Sequence, residues 1–173
     1  MYIDCEEDEE KEQETLEETT PTISCNALAG ITTPQTLKIE GYTGKKKVIV
    51  LIDSGSTHNF IYSKIAKDLN CFVYPTLEFQ AMVVDGKTIN FIGKCHNINL
   101  SIGEYVLKSP MISIPMGGAN VVLGVQWLQY LWTIAFNFQA LLMKFLWEGK
   151  EFELRGIERK PCKIISAHGM TKI

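Results

Sequence analysis

The tripeptide Asp53-Ser54-Gly55 contains the residue types in this 173-residue chain that point most directly to chemistry. It follows the apolar run at residues 48–52, so the sequence predicts a buried strand that ends in a carboxylate on a tight turn. Because Gly55 has no side chain, its backbone N–H can approach that carboxylate closely. The expected chemistry is activation of a water molecule by a buried carboxylate.

Hydrolysis by an aspartic protease needs two such carboxylates, and this chain contains a single Asp-Ser/Thr-Gly sequence. Two carboxylates about 3 Å apart cannot both ionise, so the pair shares a proton and titrates as a unit. The ionised member takes a proton from the attacking water, and the neutral member donates to the carbonyl oxygen and later to the leaving amine. We therefore expect two copies to meet, each supplying one Asp53, with Ser54 hydrogen-bonding across the twofold axis.

Charge is segregated along the chain, although the net charge is only −3. Residues 1–20 carry ten of the 20 acidic residues and one of the 17 basic residues. Such a block buries too little apolar surface to offset the entropy cost of ordering. We predict a disordered acidic linker over residues 1–24, with a short helix as the alternative, then a domain over 25–157 and a tail over 158–173.

Cysteine usage indicates a reducing compartment. The five cysteines are scattered and include no Cys-x-x-Cys pair, which argues against a disulfide framework and against a zinc site. An acidic start is unlike a secretory signal, so a cytoplasmic location is expected. We also expect neither a metal nor another cofactor. Residues 109–143 lack charge but contain several amide side chains, so a buried core segment is favoured over a membrane span.

Several segments have the alternation or β-branched composition of strands, with turn residues between them. The strongest hairpin signal is Asp85-Gly86, between strands predicted at 77–84 and 87–92. The other predicted strands are 36–42, 45–52, 95–102 with His96 on its apolar face, 105–114, 121–123, 140–147 and 151–155.

Two helices are predicted, one over 58–69 capped by Thr57 and one over 125–131. Many short strands with one or two helices indicate a mostly-β, barrel-like domain.

Three blocks of sequence carry a resemblance to a known family. They are Val-Leu-Ile-Asp-Ser-Gly-Ser-Thr-His-Asn-Phe-Ile at 50–61, Val-Val-Asp-Gly-Lys at 83–87, and Val-Val-Leu-Gly-Val-Gln-Trp-Leu at 121–128. In this order they resemble the retropepsin-like aspartic protease domain of plant gypsy-class LTR retrotransposons. The resemblance covers roughly residues 25–156, from the end of the acidic block to the last predicted strand.

The resemblance implies a retropepsin-type acid-protease β-barrel that is active as a homodimer and processes a Gag-Pol polyprotein. Asp53 would be the catalytic residue, in an active-site loop with Ser54 and Gly55. Val84, Asp85 and Gly86 would belong to the flap that closes over a bound peptide. The implied partners are a second copy and a polyprotein peptide, with no direct nucleic-acid or membrane contact, in a cytoplasmic retroelement particle.

The chain departs from the family pattern at residues 131–138. Trp132 stands where the family has a glycine, and the family's proline and aspartate are absent from this segment. This departure motivates an alternative, namely a catalytically inert protease-fold module that dimerises or binds peptide. A further alternative is one lobe of a larger pepsin-like enzyme.

Two other constellations are weaker. Ser56, His58 and Asp53 are close in sequence, but the Gly-x-Ser-x-Gly elbow of serine hydrolases is absent. Cys95 and His96 are adjacent in a predicted strand, so their side chains should point to opposite faces and not share a metal.

Overall fold

The computed structural model describes residues 20–31, 33, 36–71, 73–74, 80–83, 88–90 and 93–157. Residues 1–19, the predicted C-terminal tail and the predicted turn at Val84, Asp85 and Gly86 lie outside these ranges. The disorder of residues 1–19, the tail and the flap tip therefore stay predictions, whereas residues 20–24 of the predicted linker are part of the fold.

The described elements are short strands with three short helices. In chain order they are β1 (Thr22–Ile23), α1 (Cys25–Ala29), β2 (Leu37–Thr43), β3 (Lys46–Ile52), β4 (Phe60–Tyr62), α2 (Ser63–Asp68), β5 (Val73–Tyr74), β6 (Gln80–Val83), β7 (Thr88–Asn90), β8 (Gly93–Ile102), β9 (Tyr105–Ile114), β10 (Val121–Leu123), α3 (Val125–Leu128), β11 (Ile134–Asn137), β12 (Leu142–Trp147) and β13 (Lys150–Arg155).

Six of these strands close into a barrel, which confirms the predicted fold class. Their order is β2-β3-β10-β4-β9-β8, and the pairing of Tyr42 with Ser101 joins β8 back to β2. Closure removes the exposed sheet edges that would otherwise pair with other chains. The barrel interior is apolar, with Val50, Leu100 and Val121 fully buried.

The predicted helix over 58–69 is wrong in its first half. Phe60–Tyr62 is a strand that pairs antiparallel with β10 and parallel with β9, and only Ser63–Asp68 is helical. Phe60 and Ile61 are fully buried, because the strand occupies a central place in the barrel. Aromatic and β-branched side chains fit this paired, buried setting better than a helix face. Thr57 accordingly caps no helix.

The prediction that His96 lies on the apolar face of its strand is wrong, because β8 contains a bulge. The register of β8 against β9 shifts between Cys95 and Ile98, and Asn97 has φ +59°. The extra residue leaves Cys95 buried and His96 exposed, whereas Ile98 returns to the core. The two neighbours thus point apart, as expected of residues that share no metal.

A separate antiparallel sheet of β11, β12 and β13 follows the barrel. The sequence predicts the hairpin of β12 and β13 but not β11, and α3 ends three residues earlier than predicted. An aromatic cluster joins this sheet to the barrel, since the ring of Tyr105 lies 5.1 Å from the rings of both Phe145 and Phe152. Trp132, in the departing segment, is 83% exposed. None of the described helices has the length and apolar character that crossing a membrane requires.

Candidate active site

Asp53 lies where β3 leaves the barrel, and its backbone is held in the sheet. Its N–H donates to the carbonyl oxygen of Leu123 at 2.9 Å, continuing the parallel pairing of β3 with β10. The Asp53 side chain is only 6% exposed. The strand thus delivers a carboxylate to a nearly enclosed position, as the sequence predicts.

Three donors surround the Asp53 carboxylate. The Gly55 N–H donates to Oδ1 at 3.0 Å, which is the contact that the glycine turn is predicted to allow. Oδ2 accepts from the Ser56 hydroxyl at 2.8 Å and from the Ser24 hydroxyl at 2.5 Å. These bonds offset the cost of removing the carboxylate from water and fix its orientation.

Gly124 and the two residues that follow it pack against the aspartate turn. The N–H groups of Val125 and Gln126 donate to the carbonyl oxygens of Ser56 and Thr57 at 2.8 and 2.9 Å. A Cβ at Gly124 would lie 2.5 Å from the Ser56 carbonyl oxygen, so this approach requires glycine. The block at 121–128 therefore belongs to the same site as the Asp53 turn, although it lies far along the chain from it.

The sequence-predicted site residues are only partly brought together. Ser54 and Gly55 form the exposed tip of the turn. The predicted flap corresponds to β6 and β7, which pair antiparallel, but Val84, Asp85 and Gly86 between them lie outside the described residues. Strand β6 pairs with β1, and Thr22 of β1 is hydrogen-bonded to Thr57 in the segment that follows the aspartate turn.

Sequence reasoning misses the contacts that Ser24 and Ser56 make with Asp53. Ser24 falls in the predicted linker, yet residues 20–24 belong to the folded structure and Ser24 contacts Asp53. A signal is present, because a serine followed by a short apolar run and then Gly30 is the pattern of a capped helix. Ser56, considered as a nucleophile, donates directly to the carboxylate, while the His58 ring contacts the Thr57 hydroxyl at 2.7 Å.

Thiols and other metal ligands do not gather at this site. Within the ranges that the structure describes, no three His, Cys, Asp or Glu side chains form a group that could hold a metal ion. Cys71, which precedes β5, and Cys95, on β8, interact with each other away from the turn. Burial and the neighbouring Cys71 raise the pKa of the Cys95 thiol to about 11.

One comparison with a solved structure supports this fold. The chain resembles the retroviral protease-like domain of Ddi1 from Leishmania major, with a TM-score of 0.53 and 10% sequence identity over 73% of this chain and 98% of that one. A retropepsin-like aspartic protease from Rickettsia conorii aligns with a TM-score of 0.42 and 14% identity over 63% and 90% of the two chains. No curated protein sequence gives a significant match.

A closed barrel of this kind, with one aspartate turn packed against a strand-Gly-helix segment, defines a retropepsin-like aspartic protease domain. The family model of the PEG10/RTL1 protease domain matches residues 49–141, which include the aspartate turn and the Gly124 segment. The chain belongs to that family.

Proposed function

We propose that the chain is an aspartic endopeptidase that acts as a homodimer, with Asp53 of each subunit forming the catalytic pair. The single observation that carries the proposal is a lone, nearly buried carboxylate held by oriented donors at the end of β3. One carboxylate cannot be acid and base at once, so a second copy supplies the partner.

In the proposed reaction, one Asp53 is ionised and takes a proton from the water as it attacks the peptide carbonyl. The other is protonated, donates to the carbonyl oxygen, and passes its proton to the leaving amine. Gly55 and Ser56 hold the carboxylate oxygens in place, so little reorganisation is needed during the reaction. The peptide lies extended between the two Asp53 turns and the flaps, in which Val84, Asp85 and Gly86 close over its backbone.

The biological setting is part of the proposal. The resemblance of the three sequence blocks supports an origin in a plant gypsy-class retrotransposon, where the domain would process a polyprotein in a cytoplasmic particle. The proposed partners are a second copy and a polyprotein peptide, with neither nucleic acid nor membrane contacted directly. The proposed domain spans the predicted residues 25–157 together with the folded residues 20–24, and it is preceded by an acidic linker and followed by a tail.

The test is cleavage of a peptide library at acidic pH by the purified full chain, with and without pepstatin. Asp53→Asn should abolish cleavage and leave the fold intact. Asp68→Asn is the matched control, because Asp68 is an exposed carboxylate paired with Lys46 on the surface. Cleavage that persists in the Asp53 variant would refute the assignment.

Dilution gives a second test, because a site shared by two subunits loses activity as the dimer dissociates. Specific activity should fall at low protein concentration in parallel with the dimer fraction measured by sedimentation. Constant activity per molecule would contradict a shared site.

The second candidate is an inert module of the same fold that dimerises or binds peptide. Trp132, which is almost fully exposed beside β11, favours a surface altered for contact with another molecule. Pepstatin binding without turnover at any protein concentration would favour this module over the enzyme.

A further inference from the structure

The segment that follows the acidic block enters the proposed peptide groove. On one side, β1 pairs parallel with β6, matching Thr22 to Met82 and Ile23 to Val83. On the other side, the Thr57 N–H donates to the Thr22 carbonyl oxygen at 2.8 Å, and the Thr22 N–H donates to the Thr57 hydroxyl at 2.8 Å. An extended peptide between a flap strand and an aspartate turn would make the same two-sided backbone contacts.

Side chains of this segment pack against the barrel and contact Asp53. Ile23 is 0% exposed and packs in an apolar cluster with barrel residues that include Leu51, Phe60 and Val122. The next residue, Ser24, donates its hydroxyl to Asp53 Oδ2, and its N–H donates to the Ser56 hydroxyl at 3.2 Å. An apolar side chain in a pocket and a polar group on the carboxylate are what a bound peptide would present.

The segment is anchored by helix α1 as well as by the strand. Ser24 caps this helix by accepting from the Ala27 N–H at 3.1 Å, and Gly30 ends it with φ +69°. A Cβ on Gly30 would lie 2.5 Å from the Cα of Gly118, so the helix end is pressed against the loop after β9. The Gly117 N–H also donates to the Leu28 carbonyl oxygen at 3.2 Å.

We propose that residues 22–30 form an N-terminal plug that occupies the peptide groove of its own subunit in most molecules and thereby lowers the activity of the site. The inference rests on the proposed function, since it concerns the regulation of the same site. The Ser24 hydroxyl already lies 2.5 Å from Asp53 Oδ2, so in this proposal it competes with the second Asp53, which must come within about 3 Å of the first. Peptide binding and pairing of the two aspartates therefore both require that the plug leaves the groove or is cut.

The plug lowers the fraction of subunits that are competent to pair, and because both subunits must be competent, the apparent affinity of the dimer is weakened by the square of that fraction. Two variants release it in different ways. Gly30→Val places a side chain against the Gly118 backbone and strains a left-handed residue, and Ile23→Asp puts a charge where the groove is apolar. Cys25→Ser is the matched control, because Cys25 is an exposed residue of the same segment.

Docking is measured first, without reference to activity, by hydrogen exchange at the amides of Thr22 and Thr57 in the full chain. Both amides should be protected in the native protein and in Cys25→Ser, and should exchange at least about tenfold faster in Gly30→Val and Ile23→Asp. Rapid exchange at both amides in the native protein would overturn the proposal.

Dimerisation and peptide cleavage are then compared by sedimentation and by turnover. The release variants should dimerise at a concentration at least about tenfold lower than the control and cleave peptide faster. A synthetic peptide of residues 20–31 added to Gly30→Val should reverse both gains. Release variants that dimerise no better than Cys25→Ser would overturn the plug. Tighter dimerisation without any cleavage would support the plug and refute the proposed protease activity.

Discussion

Asn59 accepts a hydrogen bond from the backbone N–H of Gly124 through its Oδ1 atom at 3.0 Å, and both residues are fully buried. The same side chain donates through Nδ2 to the Ser109 hydroxyl at 3.0 Å. One amide therefore ties the aspartate turn to the strand-Gly-helix segment and to β9. The site is rigid because these three parts of the chain share buried hydrogen bonds.

The close approach at Gly124 predicts a large effect of one methyl group. Gly124→Ala should lower the free energy of unfolding by about 1–3 kcal/mol, because its Cβ would meet the carbonyl oxygens of Ser56 and His58 at 2.5 Å. Urea denaturation measures the loss. Gly117→Ala is the control, since its Cβ would have no neighbour within 4 Å. Equal stability of the two variants would contradict the packing described for Gly124.

Ser56 is predicted to matter for turnover more than for stability. Ser56→Ala removes the 2.8 Å bond to Asp53 Oδ2, and a hydrogen bond to a charged group contributes about 1.5–3 kcal/mol. We expect kcat/KM to fall by about 10–100-fold while the circular dichroism spectrum is unchanged. Ser101→Ala on β8 provides the comparison, because Ser101 lies away from the aspartate turn. Undiminished turnover in Ser56→Ala would show that this hydroxyl does not orient the carboxylate.

Tyr105 links the barrel to the C-terminal sheet through a polar contact as well as by ring packing. The Trp127 Nε1–H donates to the Tyr105 hydroxyl at 3.0 Å in a buried setting. Tyr105→Phe would leave that indole N–H without its acceptor and should cost about 1–3 kcal/mol of unfolding free energy. Tyr42→Phe, at an exposed position, should stay within about 0.5 kcal/mol. Thermal and urea unfolding measure both variants. Equal stability of Tyr105→Phe and Tyr42→Phe would contradict a stabilising role of the bond between Trp127 and Tyr105.

The raised pKa of the Cys95 thiol predicts how the stability of the fold changes at alkaline pH. Its pKa is raised from 9.0 to about 11, first by burial and then by the adjacent Cys71, so the folded state favours the neutral thiol. A raised pKa of this kind leaves stability intact below pH 9, and stability declines as the pH rises from about 9 to 11, because the unfolded thiol ionises first. Cys95→Ala should flatten part of that decline.

The remaining decline in Cys95→Ala is expected from Cys71 and Tyr105, because burial raises the pKa of each of these groups as well. Urea denaturation between about pH 7 and pH 11 measures the slope, and Cys25→Ser, at an exposed position, should keep the native slope. An unchanged slope in Cys95→Ala would mean that this thiol does not carry the predicted effect.

Local patterns in the amino-acid sequence determine much of this protein on their own. The apolar run that precedes Asp53, the alternation in β8 and the turn between β2 and β3 are visible in short windows of sequence, because strand period and turn chemistry are local properties. The barrel class and the aspartate turn follow from them. The polar and charged composition of residues 1–20 likewise suffices to predict a separate linker, though not where the fold begins.

Features that depend on distant partners are set by the three-dimensional arrangement of the chain and not by local sequence. Phe60–Tyr62 is a strand because β10 and β9 flank it, whereas its own sequence also fits a helix. Ser24 meets Asp53 across 29 residues of chain, and Gly124 meets Ser56 across a longer separation. Such contacts arise from barrel closure, which brings together segments whose pairing no local window of sequence encodes.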